Sequence, residues 1–109
     1  MWELINKNGN DVSMIEGEYG LALPITLKDT AVSPSDTVKI EIKSGKNGET
    51  ILTKEYTGIT DSKVYLVLSE EDSAKLPVGS YVYNLDWYLD GIFNGTVING
   101  ARIKVVGKA

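Results

Sequence analysis

The sequence predicts an all-β chain, an antiparallel β-sandwich of about 7–8 strands with one short helical turn near 70–76. Three observations predict it. The β-formers Val, Ile, Thr and Tyr are frequent, and the 11 glycines include several Asx-Gly pairs that suit tight turns. Apolar residues recur at every second position in one segment after another, which is the period of a strand with one buried face. From 64 to 106 an apolar run, a capped helical turn, a Leu-Pro-x-Gly-x-Tyr corner, a long alternating strand, an Asp-Gly turn and a last basic-apolar strand follow one another without a linker.

At 109 residues the chain has room for one domain and one core. Its 15 acidic and 11 basic residues leave a net charge of −4, which repels a phosphate backbone, and no Lys or Arg stands beside another. Nucleic acid is therefore not an expected partner. The absence of cysteine removes disulfides and thiolate metal sites, so stability must come from packing. The first residues carry no basic and apolar leader, and no stretch approaches the ~18 apolar residues of a membrane helix. These features predict a complete soluble product, made in a cytoplasm, with no membrane partner.

The elements follow in order. Apolar clusters at 2–5 and 12–15 flank the polar turn Asn6-Lys7-Asn8-Gly9-Asn10, a hairpin or wide loop. Residues 1–16 are read as an N-terminal arm able to dock on a partner, and 17–109 as the sandwich domain. Leu21, Leu23, Ile25 and Leu27 alternate with smaller or polar residues, and Pro24, lacking an N–H, marks an edge strand or a bulge. After a polar crossover at 29–36, Val38, Ile40 and Ile42 point one way and Lys39, Glu41 and Lys43 the other. Ser44-Gly45-Lys46-Asn47-Gly48-Glu49 closes a hairpin that returns through Ile51, Leu52 and Tyr56. The run 64–68 is apolar at nearly every position, as in a central strand covered on both sides or a strand at a subunit contact.

Ser69 before Glu70, Glu71 and Asp72 is a helix start: its hydroxyl accepts a free backbone N–H while the carboxylates favour the positive end of the dipole. Pro77 ends that turn. In the strand beyond, Tyr81, Tyr83, Leu85, Trp87 and Leu89 share one face, and Val82, Asn84, Asp86, Tyr88 and Asp90 share the other. Asp90-Gly91 is the strongest hairpin signal. Were Asn94-Gly95 and Asn99-Gly100 both hairpin turns, only 96–98 would lie between them, too short to pair well, so at least one is a bulge in a single last strand.

The stretch Leu76-Pro77-Val78-Gly79-Ser80-Tyr81 resembles the tyrosine corner of sandwich domains, in which a Tyr at a strand start bonds back to the preceding loop. With the order of elements around it, the last two-thirds of the chain resembles the small immunoglobulin-like β-sandwich domains of tailed-phage virion proteins. These include the N-terminal modules of baseplate proteins and the accessory proteins of heads and necks. The resemblance rests on turn chemistry and hydrophobic spacing and includes no reactive residue. It implies structural roles for Tyr81, Pro77, Gly79 and Trp87. It also implies a non-catalytic virion protein, a capsid decoration or head accessory or else a head-tail or baseplate joining part. Such a protein is made in the host bacterial cytoplasm, ends in the virion, and contacts capsid, neck or baseplate subunits as a homo-oligomer. The lack of a second domain or a coiled-coil stalk departs from a fibre shaft and favours the smaller roles.

No histidine and no cysteine means no Ser-His-Asp or Cys-His nucleophile and almost no zinc or copper chemistry. The cluster Glu70-Glu71-Asp72 offers oxygens for calcium, and Asp86 with Asp90 an acid/base pair, but a capped turn and a strand end explain them better. No EF-hand spacing is present. There is no phosphate-cradling glycine loop, so no cofactor is expected, and Asn94-Gly95-Thr96 matches a glycosylation acceptor only as a common chance triplet. The expectation is that the chain is not an enzyme.

The aromatics have two serious readings, a protein interface or a stacking platform for a glycan, the latter making the chain a carbohydrate-binding module for cell-surface attachment. Two or more coplanar exposed rings would mark the glycan reading. Trp87 falls on the core face of its strand, whereas Tyr88 falls opposite with Asp86 and Asp90. The candidate interface residues are Trp2, Leu4, Pro24, Tyr88 and Phe93, with the segment at 19–27 as an exposed edge on which an extended arm can pair.

Overall fold

The computed structural model describes residues 3–4, 11–20, 22–27, 35–45, 48–59 and 63–107. In chain order the elements are β1 (Glu3–Leu4), β2 (Val12–Ile15), β3 (Ala22–Thr26), β4 (Thr37–Lys43), β5 (Thr50–Tyr56), β6 (Lys63–Val67), α1 (Glu70–Ala74), β7 (Gly79–Leu89) and β8 (Ile92–Val106). The chain is all-β apart from α1. A six-stranded sheet has the order β1-β2-β8-β7-β4-β5, and β3 pairs with β6 in a second, two-stranded sheet.

The large sheet is mixed, which corrects the expectation of purely antiparallel pairing. β2 runs parallel to β8, with Val12 opposite Ile103 and Ile15 opposite Val106. Parallel neighbours need a long crossover. Here almost the whole chain serves as that connection, a pairing that no local pattern can announce. β1 pairs antiparallel with β2, Leu4 opposite Val12. Trp2 and the loop at 5–10 lie outside the described residues. Within the segment expected as an arm, Val12 and Met14 are buried.

The two sheets share one core. β4 shows why the sequence folds this way: Val38, Ile40 and Ile42 are fully buried while Lys39, Glu41 and Lys43 lie half-exposed on the other face. From the large sheet come also Leu52, Tyr83, Leu85, Ile103 and Val105, and from the small sheet Ile25, Val64 and Leu66. Each such side chain contributes about 1.5–3 kcal/mol by leaving water. Leu76, just past α1, is equally buried and belongs to the same core.

β6 departs from the expectation of a strand covered on both sides. Val64, Leu66 and Leu68 are buried, but Tyr65 is 52% and Val67 41% exposed. Among the described residues β3 is its one strand neighbour. The sequence run is apolar on both faces, yet a two-stranded sheet has a core to cover only one of them.

β8 is a single strand, and its register with β7 shifts three times, between Tyr83 and Leu85, Leu85 and Asp86, and Trp87 and Tyr88. The shifts fall at the Asn-Gly pairs and between them. Gly100, at φ +73°, takes a backbone conformation that side chains disfavour, as a bulge requires.

α1 starts as a capping box. Asp72 N–H donates to Ser69 Oγ (3.1 Å) and Ser69 N–H donates to Asp72 Oδ2 (3.0 Å). Beyond Pro77, Tyr81 Oη donates to the Pro77 carbonyl at 2.6 Å, tying the start of β7 to the corner before it. Val78 N–H, in that corner, donates to Glu16 Oε2 (3.2 Å), which brings the turn after β2 against it.

Candidate interaction surface

The β7–β8 hairpin end brings together more exposed apolar side chains than its strand pattern suggests. Leu89 pairs with Ile92 across the two-residue turn Asp90-Gly91. Asp90 has φ +50° and Gly91 φ +79°, as a type I′ turn requires. That turn matches the right-handed twist of its strands. Below it Tyr88 pairs with Phe93, ring centroids 5.8 Å apart at 72°, an edge-to-face contact that fixes both rings.

Exposure rises towards the tip. On the core face of β7, Tyr83 and Leu85 are buried, Trp87 is half-buried and Leu89 is exposed, with its partner Ile92 at 72% exposure; Phe93, on the opposite face, is 55% exposed. The sequence places these residues on the correct face but not at the correct depth: Leu89 and Ile92 lie outside the buried cluster that holds Tyr83 and Leu85. Both faces of the tip are thus apolar, Leu89 and Ile92 on one and Tyr88 and Phe93 on the other.

Trp87 anchors the base of this structure. Its Nε1–H donates to Asp36 Oδ2 at 3.0 Å, and Asp36 is buried just before β4. On the opposite face Thr96 Oγ1 donates to Asp86 Oδ1 at 2.8 Å. Asp86 lies on β7 and Asp90 in the turn beyond it, four residues further along the chain, about 13 Å at strand rise. They do not converge on a common point.

The other candidate residues are placed separately. Pro24 is exposed on β3, opposite Tyr65. Leu4 lies in β1, and its side chain is outside what is described. Tyr81 is buried in its corner, where burial, and then the charge of Glu16, push the phenol above its ordinary pKa. Glu70, Glu71 and Asp72 form the first turn of α1.

A depression of about 320 Å³ on the outer face of the large sheet is lined by Val82, Asn84, Asn99, Gly100 and Arg102. Asn84 Oδ1 accepts the Gly100 N–H there at 2.7 Å, so this polar group serves the bulge. Among the described residues no three His, Cys, Asp or Glu side chains stand close enough to hold a metal. No protein-family model matches this chain, and no curated protein or solved structure matches it. The hairpin end is therefore read from its own chemistry, which is that of an exposed apolar and aromatic surface on a tight turn.

Proposed function

We propose that this chain is a non-catalytic assembly protein with an immunoglobulin-like fold, acting by protein–protein contact in a tailed-phage particle, as a capsid decoration or as a head-tail or baseplate joining part. The observation that carries the contact role is the hairpin end, where Leu89, Ile92 and Phe93 are exposed on a turn of fixed geometry. Solvent-facing apolar clusters of this kind are costly in water and mark interaction sites.

The strand order supports the immunoglobulin-like reading. A sheet containing β2-β8-β7-β4-β5 with a separate β3-β6 pair is similar to the order of the variable-type sandwich, with β2 parallel to β8 and a bond like that of a tyrosine corner between β6 and β7. The phage setting comes from the resemblance of residues 64–106 to the accessory domains of such particles. The 72° angle between Tyr88 and Phe93 favours a protein partner over a glycan, because a sugar ring stacks on a flat aromatic surface and these two rings are not coplanar.

The test is quantitative mass spectrometry of purified particles from the source phage or induced prophage, with wild-type protein and with Ile92→Ser/Phe93→Ser. Copies comparable to the capsid subunits support decoration, and a few to a few dozen support a neck or baseplate position. In either case the double variant is expected to fall at least tenfold. Absence of the wild-type protein from particles overturns the reading.

A further inference from the structure

We infer that the outer face of the small sheet is a contact between two copies of this chain, stacked face to face about a twofold axis that crosses β6. This surface is separate from the hairpin end, and the inference stands whether or not the hairpin docks on a particle. The face is apolar. Ala22 and Pro24 on β3 and Tyr65 and Val67 on β6 all point away from the core and are exposed, in the cross-strand pairs Ala22–Val67 and Pro24–Tyr65.

Each edge of this sheet has one backbone position that cannot donate to an added strand, which favours its face as the available surface. Val67 N–H points away from β3 and donates to Tyr56 Oη at 3.3 Å. By the alternation of antiparallel pairs, residues 22 and 24 direct their backbone nitrogens to the opposite edge, and Pro24 has no N–H to offer there. One edge thus has a donor engaged and the other lacks one.

Charge selects the occupant and its orientation. β6 begins at Lys63, and just past its end the chain enters α1 with Glu70 and Glu71, all three exposed. An apolar centre with a basic end and an acidic end is complementary to itself. A face-to-face pair has its twofold axis in the plane between the copies. With that axis along β6, Lys63 meets Lys63 and the acidic ends meet each other. With the axis across β6, Lys63 of each copy lies over Glu70 and Glu71 of the other. The second arrangement replaces repulsion with attraction at both ends.

The sheet is about 17 Å long and about 10 Å wide, from five residues per strand and two strands, well below the ~800 Å² per partner of a stable complex. Association is therefore weak and depends on concentration, suited to copies held close together by other contacts.

Sedimentation equilibrium on the isolated protein from about 10 µM to about 1 mM covers this affinity class. The expected result is a monomer–dimer equilibrium that weakens as salt rises. Tyr65→Ser/Val67→Ser is expected to weaken it at least tenfold, Lys63→Glu several-fold, and Lys63→Glu combined with Glu70→Lys and Glu71→Lys to restore it to within about threefold of wild type. Thermal melts of each variant verify folding, and all five positions are exposed, so failure to fold is not expected. A monomer at every concentration overturns the inference, as does a dimer indifferent to both the apolar and the charge variants. Either result leaves the particle experiment unaffected.

Discussion

Lys54, on edge strand β5, reaches inward to form an ion pair with the Oδ2 of Asp72 in α1, the same oxygen that accepts the Ser69 N–H of the capping box. The contact ties the free edge of the large sheet to the segment that connects β6 to β7. An inward-pointing lysine on an edge strand also discourages pairing with another chain.

The Asp72 carboxyl has opposing influences: burial works to raise its pKa, but the hydrogen bond from Lys54, those from Ser69 and the lysine charge hold it below the usual 3.8. Its folded pKa being depressed, its stabilising contribution is present above pH 3.8 and is lost as pH falls through the folded value. Asp72→Ala is expected to cost about 2 kcal/mol at pH 7 and less at an acid pH below the folded pKa, where protonation has already removed the same interactions from the wild type. Urea unfolding at the two pH values measures the difference.

Tyr81→Phe removes the donor to the Pro77 carbonyl and leaves the ring in place. A loss of about 1–2 kcal/mol is expected, without change in the far-ultraviolet circular dichroism spectrum. A loss below about 0.3 kcal/mol means that the corner adds nothing to stability.

Tyr83 is fully buried, and burial first, then the Asp11 charge, push its phenol far above its ordinary value of 10.0, with Tyr81 raised as well. A raised folded pKa means stability is complete below pH 10 and declines above it, as the unfolded phenols ionise at lower pH than the folded ones. Each contributes up to about 1.4 kcal/mol per pH unit. Tyr83→Phe is expected to make the alkaline decline shallower, measured by urea midpoints between pH 9 and pH 11.5.

Trp87→Phe keeps an aromatic ring at the base of the hairpin but withdraws the indole N–H from the buried Asp36 carboxylate. The expected cost is about 1–3 kcal/mol. Urea unfolding of this variant beside the wild type measures the cost.

The turn itself is testable through Gly91, whose φ of +79° an L side chain adopts only under strain. Gly91→Ala is expected to destabilise by about 1–2 kcal/mol and to loosen the hairpin end. Hydrogen exchange at Leu89 and Ile92 reports that loosening.

How much was legible can be judged from particular residues. Val38, Ile40 and Ile42, the Ser69 cap, the Asp90-Gly91 turn and the bulged last strand are local patterns, because strand period, capping chemistry and positive-φ turns act over a few residues. The all-β class follows from them. The candidate surface was legible only in part: Tyr88 and Phe93 stand out by composition, but the exposure of Leu89, Ile92, Tyr65 and Val67 does not. An alternating pattern says which side chains share a face. It does not say whether another layer covers that face.

Only the tertiary structure decided those questions. The parallel β2–β8 pair, the link from Asp36 to Trp87 across 51 positions, the bond from Arg102 N–H to Asp11 Oδ1 across 91 positions, and the reach of Lys54 to Asp72 join residues distant in sequence. The sequence by itself determined the strands, turns and cap, since their energies depend on neighbouring residues. Which strands became edges and which apolar faces stayed uncovered depended on closing long loops around one limited core, a global balance that no short stretch of sequence records.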